Sequence, residues 1–174
     1  MESSLHASGY EVEGYACLFG VLDLGRDMVM PGAFAASLAQ RGAAGVRLLY
    51  QHDPAEPLGV WTDIAEDTRG LHVRGRLSPH VARARECAAL IEEGALDGLS
   101  IGFKAVEAAA DPRTRVRRIS RIDLWEVSIV TFPMQPGARV ALSGLPGGRP
   151  ASDALLLRRA AARLRGALSS PFNP

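Results

Sequence analysis

The sequence predicts a mostly antiparallel β domain with peripheral helices, an α+β fold rather than an alternating βαβ one. Two observations support this prediction. Short segments in which apolar and polar residues alternate follow one another through most of the chain, and one longer helical segment separates two groups of them. The 174 residues are 47% hydrophobic and 22% charged, an ordinary composition for one globular domain with a sizeable core.

The first group contains five strand-like segments: Tyr10–Phe19, Asp27–Met30, Val46–His52, Pro57–Ile64 and Leu71–Leu77. We expect Pro54 to end the third ladder, because proline has no N–H to donate. Residues 66–70 predict a hairpin turn between the last two segments. A short helix is predicted over Ala33–Gln40, where Phe34 and Leu38 are four residues apart.

A longer helix is predicted to begin at Ser78 and Pro79, since serine is a favoured N-cap and proline a favoured first residue. Gly94 is expected to cap its C-terminus. Cys87 is expected to be a small buried hydrophobe beside the apolar face. That face is formed by Val81, Ala84, Ala88 and Ile91.

The second group begins with Leu99–Val106, continues through a turn at Asp111–Thr114 and ends with the long strand Ile122–Val130. The apolar positions of the long strand change phase near Glu126, which predicts a bulge there. The basic run Arg113–Arg121 is expected to be a solvated hairpin tip.

The composition changes sharply near the end of the chain. We expect residues 1–9 to be a flexible N-terminus and residues 10–142 to form one folded domain. Residues 143–174 are expected to be a Gly- and Pro-rich linker followed by a basic helix.

Several function classes are disfavoured by composition. A formal net charge of +1 gives no reason to expect a nucleic-acid partner. Cys17 and Cys87 make no disulfide framework, no two histidines have metal-ligand spacing, and we expect neither a metal nor a cofactor. The chain has no apolar run of membrane-spanning length and no signal-peptide pattern at its start, so we expect no membrane contact.

Ser100 is the first candidate functional residue. It lies between Gly98 and Gly102 on a strand whose other face carries Leu99, Ile101 and Phe103. The two glycines leave room for another backbone, such as a substrate strand. The alternative, which the heptapeptide alone favours, is a Gly-rich strand packed under a neighbour with Ser100 merely hydrogen-bonded.

His52 and Glu126 are the other candidates. A serine hydroxyl needs a base to take its proton, and the imidazole needs a third group to orient it. His52 could instead cap a strand end, and Glu126 could pair with a surface arginine. Asp53 is a rival orienting group, although neighbouring side chains on an extended chain point to opposite faces.

Four segments of the chain resemble the phage prohead protease family, the capsid-maturation serine proteases of tailed phages. In the order typical of that family, they are Arg26–Phe34, Leu48–Gly59, Gly98–Phe103 and Leu124–Pro133, the last followed by Pro136 and Ala138. The resemblance covers roughly residues 10–141 and identifies 10–142 as a protease domain.

The resemblance implies His52 as general base, Ser100 as nucleophile and Glu126 as the third member. It also implies a relation to herpesvirus assemblin, a compact antiparallel β-barrel with peripheral helices, in which the third member is a second histidine. The basic run 113–121 is considered as a source of oxyanion donors.

The implied function is a serine endopeptidase that cleaves scaffold or the delta segment of the major capsid protein, and itself. It would act in the cytoplasm of the bacterial host, inside the assembling prohead, with a homodimer plausible by analogy and residues 143–174 removable. The alternative is a non-catalytic capsid assembly or scaffolding module of the same fold. A generic β-barrel binding domain is a third interpretation.

Overall fold

The computed structural model describes residues 9–143, and eight strands contain about half of them. The strands are β1 (Tyr10–Leu18), β2 (Asp27–Val29), β3 (Arg47–Tyr50), β4 (Asp53–Glu66), β5 (Gly70–Leu77), β6 (Gly98–Ala110), β7 (Arg117–Val130) and β8 (Arg139–Leu142). Two helices, α1 (Ala35–Arg41) and α2 (Ala82–Glu92), and a 3₁₀ turn (Ala43–Gly45) complete the fold. The predicted N-terminal tail up to residue 8 and the predicted linker and basic helix from residue 144 lie outside the described residues.

Seven strands close into a barrel in the order β7-β3-β4-β5-β1-β8-β6, with β6 paired back to β7. The eighth strand, β2, pairs with the first part of β7. Most pairs are antiparallel, whereas β7 runs parallel to both β2 and β3. This arrangement confirms the predicted mostly-β fold with peripheral helices.

Alternating side chains from these strands fill the barrel. On β5, for example, Leu71, Val73 and Leu77 are fully buried while Arg74 and Arg76 point outward. The largest fully buried side chains are Trp61, Phe34, Leu48, Leu58, Leu71, Leu77, Leu99, Ile119, Ile122, Leu124, Ile129 and Val12. The tight core keeps β3, β6 and β7 in a defined register, and these three strands carry the candidate site.

Pro54 does not end a ladder as predicted, because it lies inside β4. Tyr50 pairs with Asp53 and Leu49 with Pro57, so residues 54–56 have no partner on β3. Pro54 lacks a backbone N–H, and in this unpaired stretch no hydrogen bond to β3 is lost because of it.

The predicted start of the long helix is wrong by several residues. The helix begins at Ala82 with Val81 as its N-cap residue. The Ser78 hydroxyl instead accepts a hydrogen bond from the His80 N–H at 3.3 Å and so closes a separate turn. The predicted buried face is confirmed for Ala84, Cys87, Ala88 and Ile91, and Gly94 has a φ of +74° just after the C-cap residue.

The β6–β7 hairpin is longer than predicted, because β7 begins at Arg117 and Ile119 in the basic run is fully buried. The predicted bulge is confirmed. Gly102 pairs with Glu126 and Phe103 with Leu124, which leaves Trp125 as the extra residue. Strand β8 was not predicted, since four residues give too short a pattern to recognise.

Candidate active site

Ser100 lies on β6 directly opposite Ser128 of β7, so the two side chains share a face of the sheet. Ser100 is only 5% exposed. Within residues 9–143 its hydroxyl has no hydrogen-bond partner, and it is not among the buried polar atoms left unsatisfied there. The Ser100 oxygen is therefore uncommitted and reaches solvent, as a nucleophile requires.

His52 lies in a turn that follows β3 rather than at the end of that strand. Gln51 and His52 both have left-handed backbones, with φ of 52° and 62°, although neither is glycine. The Gln51 N–H donates to the Ile129 carbonyl at 3.0 Å, and its side-chain amide donates to the Thr131 hydroxyl at 2.7 Å. These bonds hold the turn against the end of β7.

Glu126 on β7 reaches the His52 ring. Its Oε1 lies 2.5 Å from His52 Nδ1, and the two side chains are 13% and 42% exposed. The hydrogen bond that the ring donates to Glu126 is the main cause that raises the pKa of His52, the negative charge of Glu126 is a smaller one, and partial burial acts in the opposite direction. With Nδ1 occupied, Nε2 is the ring nitrogen that remains for proton transfer.

Strands β3, β6 and β7 thus bring the three predicted residues to one region of the barrel. Glu126 contacts His52 directly. Ser100 contacts neither by a hydrogen bond among the described residues, and it is connected to them through its neighbour across the ladder, Ser128. Catalytic hydrogen bonds are often completed only when substrate is bound, so a triad does not require a hydrogen bond between Ser100 and His52 in the free protein.

Two other sequence interpretations are resolved by contacts. The Asp53 carboxylate accepts the Ala55 N–H at 2.8 Å and caps its own turn, so it does not orient His52. The basic run lies far along the hairpin, since even its last residue, Arg121, pairs with Glu107, whereas Ser100 pairs with Ser128. Seven strand residues correspond to roughly 23 Å, which is too far for an oxyanion donor.

Ser128 is a site residue that the sequence analysis missed. It is fully buried, donates its hydroxyl hydrogen to Glu126 Oε2 at 2.5 Å and accepts the His52 N–H at 3.1 Å. The available signal was its position two residues after Glu126, because i and i+2 share a face of a strand.

A cavity of about 160 Å³ opens beside Ser100. Its lining includes Cys17 on β1, Gly25 in the loop before β2, Phe103 on β6 and Met134 after β7. On the side of β6 away from β7, only Gly98 has a ladder partner among the described residues. The Leu99 N–H donates to the Ala138 carbonyl at 3.1 Å, and from Ser100 onward no described strand pairs with this edge of β6.

The described residues contain no group of three or more His, Cys, Asp or Glu side chains arranged to hold a metal ion. Both cysteines are buried free thiols, and burial raises the pKa of Cys17 to about 12 and that of Cys87 to about 11. Neither is suited to be a nucleophile at neutral pH. No helix in residues 9–143 is long and apolar enough to cross a membrane.

Two viral proteases are among the solved structures with a similar fold. The bacteriophage T4 capsid assembly protease matches with a TM-score of 0.54 and 16% identity, over 70% of this chain and 81% of that one. The protease of Kaposi's sarcoma-associated herpesvirus, bound to a hexapeptide phosphonate inhibitor, matches with a TM-score of 0.52 and 12% identity, over 88% of this chain and 77% of that one. At such identities the likeness concerns the fold.

Two proteins of similar sequence are prohead proteases of bacteriophages. The prohead protease of Enterobacteria phage HK97 is 35% identical over 132 residues, or 74% of this chain, and that of Escherichia phage T5 is 31% identical over 86 residues, or 49% of this chain. The matches span 58% and 40% of those relatives' lengths. The family model for the caudovirus prohead serine protease matches residues 1–145. The chain therefore belongs to the caudovirus prohead serine protease family.

Proposed function

We propose that this chain is a serine endopeptidase of phage capsid maturation, with Ser100 as nucleophile, His52 as general base and Glu126 as the group that orients the base. The observation that carries the proposal is the 2.5 Å contact between His52 Nδ1 and Glu126 Oε1, on the same face of the sheet as an uncommitted serine hydroxyl. Membership of the prohead protease family supports it.

The reaction follows from these contacts. His52 Nε2 takes the proton of Ser100 as Oγ attacks the scissile carbonyl carbon, and Glu126 stabilises the resulting imidazolium. The imidazolium then gives this proton to the leaving amine, the peptide C–N bond breaks, and Ser100 holds the acyl group as an ester. Water, deprotonated by His52, hydrolyses the ester and restores Ser100.

An extended peptide is the substrate class that fits the surroundings of Ser100. The free edge of β6 can pair with a peptide backbone, and the adjacent cavity can hold one side chain. The proposed substrates are the scaffold or the delta segment of the major capsid protein, and the chain itself. The reaction would take place inside the assembling prohead in the bacterial host, and a homodimer stays a prediction.

Co-expression with the cognate major capsid protein tests the proposal. We expect shortened capsid protein with the native enzyme and full-length protein with the Ser100→Ala variant. Ser120→Ala, which removes an exposed hydroxyl from β7, is the matched control and should cleave normally. His52→Ala and Glu126→Gln should both reduce cleavage.

Two results would overturn the assignment. Cleavage that survives Ser100→Ala would show that the nucleophile is another residue. Uncut capsid protein in every lane, with assembly still supported, would favour the non-catalytic scaffolding role. The mass of the purified chain tests self-cleavage separately, since a chain that stays intact to Pro174 at high concentration contradicts it.

A further inference from the structure

We propose that Ser128 is a positioning residue of this site, whose single hydroxyl holds both the general base and its carboxylate partner in the reactive arrangement. This inference rests on the proposed function, because it assigns a role relative to His52, Glu126 and Ser100.

The contacts form a closed ring. Ser128 Oγ donates to Glu126 Oε2 at 2.5 Å and accepts from the His52 backbone N–H at 3.1 Å. Glu126 Oε1 completes the ring at His52 Nδ1, at 2.5 Å. His52 is therefore held at its backbone N–H by Ser128 and at its imidazole by Glu126.

The backbone of His52 makes this anchor necessary. A left-handed φ at His52, directly after another at Gln51, costs free energy for residues with a Cβ and persists only where neighbouring contacts hold it. The Ser128 hydroxyl is the acceptor for the His52 N–H. Without it, the turn can relax toward ordinary φ values and carry the imidazole away from Ser100.

The same hydroxyl selects the orientation of the carboxylate. A carboxylate on a long side chain has several rotamers, and the bond to Oε2 leaves Oε1 directed at the imidazole. Burial strengthens this selection, because Ser128 is fully buried and its bonds have no competing water.

Ser128 is not a second nucleophile. Its hydroxyl hydrogen is committed to Glu126 rather than to an imidazole nitrogen, and its burial keeps substrate away. Ser100, across the ladder, has the free hydroxyl and lines the cavity.

A fluorophosphonate probe tests the inference on the full-length chain. A serine activated by a base displaces fluoride from phosphorus, forming a P–O bond as the proton passes to the base, and the modified residue is identified by mass spectrometry. We expect Ser128→Ala to slow modification of Ser100 on the order of 10–10²-fold, the scale on which misplaced catalytic groups lose rate. Ser128→Thr, which keeps the hydroxyl, should recover much of the rate.

Ser37→Ala is the matched control. Ser37 is also buried, and its hydroxyl also accepts a backbone N–H, that of Leu124 at 2.9 Å. A general loss of packing would affect both variants, whereas loss of positioning should affect only Ser128→Ala. Proton NMR adds a direct signature. The short His52–Glu126 contact should give the Nδ1 proton of the native chain a far-downfield resonance, which should disappear in Ser128→Ala and persist in Ser37→Ala.

The outcomes separate the two proposals. Absence of Ser100 modification in the native chain contradicts the proposed function itself. Native-rate modification of Ser100 in Ser128→Ala, or retention of the downfield resonance, overturns the positioning role alone. If Ser128→Ala does not fold, Ser128→Cys fills the site with a slightly larger thiol that forms only weak hydrogen bonds, and a folded Ser128→Cys variant with the native rate overturns the role equally.

Discussion

The Glu126 carboxylate lies against the α-carbon of Gly102, its partner across the β6–β7 ladder. A Cβ on Gly102 would overlap Oε1, the oxygen that contacts His52. Gly102 is therefore the residue whose missing side chain lets Glu126 cross the face of β6 toward the base.

Gly102→Ala should consequently impair the site more than the fold. The overlapped atoms belong to a side chain that can swing away, so we expect the free energy of unfolding to change by no more than about 1 kcal/mol. Labelling of Ser100 should fall on the order of 10²-fold as Glu126 leaves His52. Denaturant titration and fluorophosphonate labelling measure the two effects.

Gly59→Ala is the contrasting control, because there the added Cβ would overlap the Arg76 backbone carbonyl, which cannot move without opening the β4–β5 ladder. That variant should lose stability. Full activity of a folded Gly102→Ala variant would contradict the assigned path of Glu126.

Glu126→Gln should shift the pH dependence of the reaction. His52 must be neutral to accept a proton, so activity rises with pH through the pKa of His52, which Glu126 raises. Removing the carboxylate lowers that pKa, and the acidic limb should move to lower pH while the maximal rate falls on the order of 10²–10⁴-fold. The labelling rate as a function of pH measures both effects.

Glu107→Gln, which loses an exposed ion pair with Arg121, should leave the profile unchanged. An acidic limb that stays in place in Glu126→Gln would show that Glu126 does not control His52.

The raised pKa of His52 also affects the stability of the native chain. The His52–Glu126 pair stabilises the fold below the unfolded-state pKa of His52, and this contribution is lost as pH rises through the folded-state pKa.

Gln135→Leu should destabilise the barrel. The buried Gln135 amide accepts the Leu18 N–H at 2.5 Å and donates to the Leu18 and Val21 carbonyls, each at 3.0 Å. Leucine leaves these backbone groups unpaired, which should cost roughly 1–3 kcal/mol. A lower denaturant midpoint with an unchanged slope is the expected measurement, while Gln40→Leu on the exposed side of α1 should have no comparable effect. An unchanged midpoint in Gln135→Leu would contradict the anchoring role.

Both cysteines should be inert in the folded protein. Burial raises the pKa of Cys17 to about 12 and of Cys87 to about 11, so the thiolate fraction is small. Alkylation should be on the order of 10²-fold slower than for a free thiol and should become fast in denaturant, as measured by mass spectrometry. Rapid alkylation of the native chain would contradict the buried positions.

Much of this fold could be predicted from local pattern. The alternation along β5 and the phase change at Glu126 correspond to one buried face and to the bulge at Trp125, because side-chain direction along a strand has period two. The helix start failed at Ser78, because a capping preference does not decide between a turn and a helix when neighbouring contacts choose. Strand β8 could not be found, since its four residues become a strand only by pairing with β1.

The candidate site, like the fold, was predictable from the sequence only in part. His52, Ser100 and Glu126 could be chosen from residue type and local context, because the chemistry of a serine nucleophile limits which side chains can serve it. Their grouping depends on pairs far apart in the chain: β3 runs parallel to β7, and β7 is in register with β6. The ring through Ser128, the clearance at Gly102 and the left-handed turn at His52 exist only once that register is set. Contacts between distant segments are fixed by packing of the whole barrel, and no local pattern encodes them.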